Sequence, residues 1–585
     1  MDPINVDFGD RKKKVVQETP DGSTVKKVLV SLVVTLVAAA VLYYFMLPAF
    51  NFKAIEFYVY IAVLVLIYIG VFGVATKAYF RPEYTEYAKN KVKIPIALII
   101  VLVAVVGVGY LFGAEFFRAK DYHQLIEVKQ GDFAKDITEI DFQSVPRLDK
   151  DSSNMIANRA LGELSDYVSQ FVVDSTYSTQ INYQGTPVRV QSLAYGDIFK
   201  WIKNTKEGIP AYIIVNMTTH KAETVRLEEG IKYSPAEYFN EDLIRHVRFK
   251  YPTLMLGDPS FEIDETGRPY WVVPVQDKKI GLFGGVDVIG AVIVDSITGA
   301  TELISTSLDG KTTLKTDKFV TDEAYQWLDR IYSAEIVNQQ YNYYGKYGKG
   351  FWNSLIGQED VKVTSSGYNY LALNDDVYMY TGVTSISSDE SIIGFVLVNQ
   401  RTKEAVYYQQ PGAIEEKART SAQGRVQQYG YTATFPILLN VSGEPTYFMA
   451  LKDSSELVKK YAMVNVEQST VVGVGDSLAE CTENYAAELK SNGVNINVDV
   501  ESMEGTTPDA PTVEYVDVTG KVEKIKDIDI DGNTYYFIKL VGNDVQYKIA
   551  VKDAEKIVFL EKGDEITFEI EKDATGEIIT IKTVK

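Results

Sequence analysis

Cysteine and histidine are almost missing from this sequence. In 585 residues there is one cysteine, Cys481, and there are three histidines, His123, His220 and His246. A lone thiol closes no internal disulfide, whereas a secreted eukaryotic domain of this size usually carries several. No H-E-x-x-H, paired cysteines or G-x-S-x-G occurs. A zinc site or a Ser-His-Asp triad therefore has little to be built from. His246, beside Arg245 in a helical stretch, reads as a surface or packing residue. No catalytic residue stands out, and no cofactor or metal is expected. The chain is expected to be non-enzymatic. A carboxylate-based glycosidase is the enzyme class that such a composition still permits.

Positive charge is scarce after residue 113. The chain carries a net −20; its first 113 residues carry 12 basic and 8 acidic side chains, which leaves −24 for the rest. Such a surface repels phosphates, so nucleic acid is not expected as a partner. Asp527, Asp529, Asp531 and Gly532 spell the start of an EF-hand loop. The twelfth position, where calcium needs a bidentate carboxylate, is Ile538. The flanks alternate as strands, so Asp531-Gly532 is expected to be a hairpin turn.

Long apolar runs, by contrast, are present. Three of them, at 28–49, 56–76 and 94–113, have the length of a membrane-crossing helix and no charge in the middle. Pro48 ends the first, and Pro95 opens the third in a first turn, where its missing N–H is harmless. Basic residues cluster in the N-terminal tail (Arg11 to Lys14, Lys26, Lys27) and between the second and third runs (Lys77, Arg81, Lys89, Lys91, Lys93). Lys53 alone lies between the first and second. The tail and second loop are therefore expected to be cytoplasmic, and the region after about 114 to lie outside the plasma membrane. With one cysteine, a Gram-positive bacterial surface fits. Gly109 and Gly113 form G-x-x-x-G in the third run, a pattern for close helix contact.

One phrase is written twice. Val215, Asn216, Thr219 and Ala222 spell V-N-x-x-T-x-x-A, as do Val398, Asn399, Thr402 and Ala405. After the first come a helical stretch at 234–251, with Ser234 as its N-cap, and hairpins at 261–275 and 288–304. After the second come a helical stretch at 413–430 and β-rich runs at 435–451 and 459–474. Asn216 and Asn399 are 183 apart, Gly267 and Gly443 are 176 apart, and Asp295 and Asn465 are 170 apart. The shrinking offset is that of a duplication with deletions in the second copy.

At VIGAVIVDSITGATELI the helix, hairpin and last strand ending V-D-x-x-T-G are similar to the PepSY domain, a small α+β module of bacterial surfaces. The likeness covers 234–304, with an echo at 413–474 that keeps Val464-Asn465 but lacks the Thr-Gly turn. The whole chain resembles uncharacterised multi-pass Firmicute membrane proteins loosely labelled CvpA-like or Tat-signal. The resemblance implies, as an alternative function, a regulator or inhibitor of a cell-surface peptidase.

The expected architecture is thus α+β. A cytoplasmic tail (1–27) and three transmembrane helices (28–113) lead into two related helix-plus-hairpin lobes (114–337 and 338–499). A linker (500–512) and a small, OB-like β-barrel (513–585) come after them. The expected role is a membrane-anchored surface scaffold or binding protein. Its partners would be the lipid bilayer and other envelope proteins or cell-wall glycan. The candidate contact residues are Tyr341, Tyr343, Tyr344, Tyr347, Phe351 and Trp352, with Leu282 and Phe283 of the GLFGG turn as a second group. Aromatic rings offer large faces with polar tips for such contacts.

Overall fold

The computed structural model describes residues 18–137, 145–164, 167–373, 375–386, 391–494, 496, 515–530, 533–543, 545–551, 554–571 and 578–585. The 500–512 linker and Asp531-Gly532 lie outside the described residues. The chain divides into two compact units, Met1–Thr506 and Thr507–Lys585.

Three helices, Thr24–Met46, Ile55–Ala75 and Lys93–Phe112, are long and apolar enough to cross a membrane, and most of their surface is unburied within the protein. The loop between the first two lies at the same end of the bundle as the later sheets. There the Lys53 ammonium meets Asp277 at 2.9 Å, and the Phe50 N–H donates to the Pro252 carbonyl. Beyond Phe112 helices and sheets are mixed along the chain.

Four antiparallel sheets share one plan. In the first, Phe171–Val173 and Thr179–Tyr183 both pair with Thr186–Tyr195, which pairs with Ile209–Asn216, which pairs with Ala222–Ile231. The second repeats the order with Met255–Leu256 and Ser260–Ile263 on Pro269–Ile280, then Gly284–Asp295 and Thr301–Ser305. The third uses Lys362–Thr364, Asn369–Leu373, Asp376–Ser385, Gly394–Asn399 and Ala405–Tyr408, with Val128–Gly131 added in parallel at its edge. The fourth uses Thr432–Ala433, Ile437–Val441, Glu444–Lys452, Val458–Asn465 and Val472–Gly475.

Helices Lys150–Gly162, Leu243–Lys250, Ala334–Tyr347 and Glu415–Arg425 precede the four sheets in turn. Two of them lie between sheets. Val337 and Tyr341 share a core with Val272 and Ile293 of the second sheet and with Val396 and Val398 of the third. Ala418 and Ala422 share another core with Leu397 and Tyr408 of the third sheet and with Tyr447 and Val464 of the fourth. The expected lobe boundary at 338 falls inside helix Ala334–Tyr347.

The repeated phrase is a turn, and among the described residues each of the four sheets carries one at the end of the same strand. Asn216 accepts the N–H groups of Thr218 and Thr219; Asp295 accepts those of Ile297 and Thr298. Asn399 accepts those of Arg401 and Thr402; Asn465 accepts those of Glu467 and Gln468. Each ends the same strand of its sheet, where an Asn or Asp side chain supplies the acceptor that a reversing backbone lacks.

The glycine anchor does not hold. Gly443, with Ser442, makes a two-residue turn between paired Val441 and Glu444, both at positive φ. Gly267 closes a longer loop between Ile263 and Pro269. The counterpart of the Gly443 turn is Gln184-Gly185 in the first sheet. Reversing chains recruit glycine wherever φ turns positive, so glycines coincide without being equivalent. Ser234 is not the N-cap of helix Leu243–Lys250 either. Asp242 caps it, receiving the Arg245 N–H, and 235–241 run out to the end of the first apolar helix.

In the second unit, Tyr515–Ile530 pairs with both Asn533–Leu540 and Glu565–Glu571. Gln546–Ala550 pairs in parallel with Ile578–Val584, and the five strands form a closed circuit around Ile538 and Phe568. Asp527 and Asp529 sit in the ladder opposite Tyr536 and Thr534, as a hairpin requires.

Candidate functional site

All four sheets contribute to one cleft of about 580 Å³. Helix Lys150–Gly162 opens at it, capped by Asp149, whose carboxylate receives the Ser152 N–H. Helix Ala334–Tyr347 opens at it too, capped by Ser333. Both therefore turn the positive end of a helix dipole toward the cavity. Arg189 comes from the first sheet, Ser260 and Pro274 from the second and Tyr370 from the third. Phe435 comes from the segment joining two strands of the fourth.

Strand alternation explains Arg189. Val188 and Val190 face one side and enter the apolar core, so Arg189 and Gln191 face the other. Gln180 and Asn182 of the neighbouring strand join them, and all four are buried. The first sheet thus has a buried polar face, turned toward Tyr370 and Asp329.

Three cations line the cleft: Lys150, Arg189 and Arg330. Among the described residues, none of them pairs with a carboxylate at ion-pair distance. Arg189 donates to the Ser178 carbonyl and to Gln180. Arg330 lies 3.9 Å over the ring of Tyr370 and donates to its hydroxyl. The Nε atoms of both arginines are buried without a hydrogen-bond partner. Burial, aided by the charge of Arg330, pushes Arg189 down to about 10. Burial and then the charge of Arg189 lower Lys150 as well.

Two carboxyls, Glu262 and Asp329, lie near Arg330. Glu262 accepts from the Ser260 hydroxyl and the Asp329 N–H, and Asp329 accepts from the Asn182 N–H. Both are buried, Glu262 on the second sheet's strand Ser260–Ile263. Burial pushes each carboxyl up toward its neutral form, and for Asp329 the charge of Glu262 adds to the push. Of the carboxylates lining the cleft, burial works against the charge of Asp149. The 2.5 Å bond from Lys452 and the Ser152 N–H outweigh burial, so its carboxyl lies below the usual range. Asp149, Asp151 and Glu456 lie close enough to hold a cation, but the Lys452 ammonium already bonds two of the three. Glu335 accepts from the Tyr368 hydroxyl. The rings of Tyr177, Tyr332, Tyr368 and Phe435 complete the walls, and no histidine or cysteine is among the lining residues.

The aromatic residues singled out in the sequence lie elsewhere, and they divide. Tyr341 is 1% exposed in the core between the second and third sheets; Tyr347 and Phe283 are also buried. Helical spacing puts Val337 and Tyr341 on the core face. Tyr343, Tyr347 and Phe351 stack along another face against helix Glu115–His123. Tyr343 meets Tyr122 at 4.6 Å, and the Tyr347 hydroxyl donates to Glu115. Tyr344 stacks on His123 at 4.8 Å. Leu282 and Phe283 pack on Gly109 of the third apolar helix. Trp352, 61% exposed, is the one member of the set that remains open. Tyr341, Tyr347 and Phe283 therefore close cores instead of presenting a surface. The other two histidines pack as well: His246 bonds the Gly299 carbonyl, and burial lowers His220 to about 4.

Sequence reading missed Lys150, Arg189, Arg330 and Tyr370. The available signal was T-Q-I-N-Y followed by P-V-R-V-Q-S, a strand pair whose second face is polar in a chain region otherwise built from apolar alternation.

No known family matches the chain, and no curated protein does. Among solved structures, an exo-β-1,3-galactanase from Phanerochaete chrysosporium aligns at 7% identity over 70% of this chain and 98% of its own, with a TM-score of 0.19. A levansucrase mutant from B. megaterium aligns at 8% identity over 70% and 83%, with a TM-score of 0.15. Scores this low carry no argument about fold or activity.

Proposed function

We propose that the chain is a membrane-anchored binding protein of a bacterial surface whose cleft takes an anionic envelope glycan. The observation that carries this reading is the set of three cations, Lys150, Arg189 and Arg330, that line a cavity walled by tyrosines with no ion-paired carboxylate among the described residues. A phosphate or carboxylate group in the cleft would supply the anion that these cations lack. Sugar rings would lie on the aromatic walls. The distribution of Lys and Arg around the three apolar helices supports a cytoplasmic N-terminus with the sheets outside.

The common strand order supports descent of all four sheet units from one PepSY-like ancestor, and the 1-2-3-5-4-1 pairing of the last unit supports an OB-like barrel. A regulator of a surface peptidase is the alternative role that the PepSY likeness brings. The cleft gives it no specific support.

The test uses the full chain in detergent, titrated calorimetrically with a glycerol-phosphate oligomer, a uronic-acid oligosaccharide and a neutral chito-oligosaccharide. At least one anionic ligand should bind, and the neutral one should not. Arg330→Gln should weaken binding roughly tenfold or more, because a hydrogen bond to a charged group contributes about 1.5–3 kcal/mol. Equal binding of neutral and anionic sugars, or indifference to Arg330→Gln, would overturn the reading.

A further inference from the structure

Two apolar patches flank the helical bundle at the end nearest the sheets. The first adjoins the third apolar helix. Phe112 ends that helix and is 67% exposed; Phe116 and Phe117 come next in helix Glu115–His123. The Phe116 ring meets Phe351 at 5.2 Å and Trp352 at 5.4 Å, both edge-on. Beyond Trp352 the turn Asn353–Gly357 carries Leu355 and Ile356, the latter 80% exposed. The second patch adjoins the first apolar helix. Phe199 and Ile202 on helix Ile198–Asn204 are exposed, as is Phe239, which packs on Trp201. Arg245 ties this patch to the helix end through the Tyr44 carbonyl and ring.

The level of these patches is set by a third contact. The hairpin tip at Leu282 and Phe283 packs on Gly109, one turn inside the third helix, so the sheet region already reaches below that helix's last residue. From Gly109 the helix runs on to Phe112, and Phe116 follows, its ring against Trp352. Exposed Trp and Phe beside the end of a hydrophobic span are placed where ring bodies enter hydrocarbon and polar edges stay wet.

We infer that both patches are immersed in the lipid leaflet on the sheet side of the membrane. The part of the first unit that follows residue 113 therefore rests in the bilayer surface instead of standing clear of it on a stalk. Lipid is the occupant because each patch is continuous with a helix that has the length and composition of a span. Lys349, paired with Glu359 and Asp360, lies close in sequence to the first patch, as suits a headgroup zone.

The lone native thiol makes the test direct. Cys481 is fully buried, so a thiol-specific spin label reports an introduced cysteine and not the native one in the folded protein. The full chain is prepared as Ile356→Cys, Phe199→Cys, Thr420→Cys and Val103→Cys. All four positions are exposed. The variants are reconstituted in vesicles of phosphatidylcholine and phosphatidylglycerol. Collision with oxygen, which concentrates in lipid, is compared with collision with a water-soluble nickel chelate. At 356 and 199 oxygen should dominate, as at 103 in the third helix, while nickel should dominate at 420. Nickel dominance at 356 and 199 with oxygen dominance at 103 would overturn the inference. So would labels at 356 and 199 shielded from both reagents, since a protein partner or second copy would then cover the patches. Nickel dominance at 103 would instead refute the membrane-spanning reading on which this inference rests.

Discussion

The ring of Phe283 closes over Gly109: a β-carbon on that glycine would sit 2.6 Å from the ring. Gly113, one turn later, faces the Ile280 carbonyl and the Gly284 N–H at 3.3 and 3.4 Å in the same sense. Small residues at i and i+4 allow close approach of a second backbone, whatever its secondary structure. Here the partner is a β-hairpin tip of the same chain, and the ring of Phe283 reaches Tyr58 and Tyr110 as well.

Gly109→Leu should therefore lift the tip from the helix. The hairpin 276–290 should become sensitive to protease in reconstituted protein, and the thermal midpoint should fall. Phe283→Ala should leave the tip in place over a hole. A buried Phe→Ala costs about 3–5 kcal/mol in a water-soluble core. The loss should be smaller here, where lipid tails can fill part of the gap. A Gly109→Leu protein with wild-type protease resistance and midpoint would show that this contact does not hold the tip.

How much of the molecule was legible depends on where the information lies along the chain. The three apolar helices were plain, because a span is a local, compositional property. The V-N-x-x-T-x-x-A phrase was legible because one side chain, Asn216 or Asn399, builds its own turn from neighbours two and three residues on. At Asp295 the phrase keeps Val294 and Thr298, and at Asn465 it keeps Val464; the sequence paired these two with each other and not with Asn216 and Asn399, so the fourfold plan was half seen. The cleft was not legible at all. Lys150, Arg189, Arg330 and Phe435 are brought together across nearly 300 residues of sequence by the stacking of sheets, and no local pattern encodes that. Tyrosines clustered at 341–347 looked like a surface, but a helix distributes consecutive rings around its axis, two faces of which are packed.

Arg189 separates a binding site from a structural ion. Its charge is held in a buried place with no carboxylate partner among the described residues, and burial pushes its pKa well below the usual guanidinium range, to about 10. A cation whose folded pKa is depressed makes the folded state less stable at every pH below both values. At one pKa unit per 1.36 kcal/mol this is on the order of 3 kcal/mol. Arg189→Met should thus leave the unfolding midpoint at pH 7 unchanged or raise it, as when buried charges are replaced by apolar groups of similar volume. The same substitution should abolish binding of an anionic ligand. A marked loss of stability would show that the guanidinium serves the fold.

Asn399 and Asn216 occupy the same turn but not the same electrostatic setting. The Asn399 amide also donates to Asp376, which is bound by Arg401. Asn399→Asp would place a second carboxylate against Asp376 in a buried site and remove that donor. Among the described residues the Asn216 side chain makes no bond to a carboxylate, and Asn216→Asp keeps the turn's acceptor. The first substitution should cost about 1–3 kcal/mol, the range for leaving a buried polar group unsatisfied, and the second well under 1. Denaturant midpoints of the two variants measure the difference. Equal losses would mean that the shared turn geometry, and not the neighbouring charge, sets the cost.

Glu237 gives the chain a pH dependence near neutrality. The residue is 4% exposed at the end of the first apolar helix, beside a second cavity of about 430 Å³. The Tyr195 hydroxyl donates to one carboxylate oxygen at 2.6 Å and the Trp201 indole N–H to the other at 2.7 Å. Burial outweighs both donors and, with Glu241 adding repulsion, raises Glu237 to about 7. Below about 4.5 the group is protonated folded or unfolded, and the shift costs nothing. Between 4.5 and 7 the folded state keeps a proton that the unfolded chain has released, so this group's contribution to stability falls as pH rises. Above 7 the loss is complete, on the order of 3 kcal/mol. In Glu237→Gln the amide oxygen can still accept from Trp201, and the amide nitrogen can donate to the Tyr195 oxygen, so the site stays satisfied. The thermal midpoint of the native protein minus that of Glu237→Gln should therefore fall between pH 5 and pH 8 and then level off. Taking the difference cancels the other raised carboxyls, Glu262, Asp329 and Glu415 among them, which are present in both proteins. A difference flat across that window would show that Glu237 is ionised in the folded protein throughout.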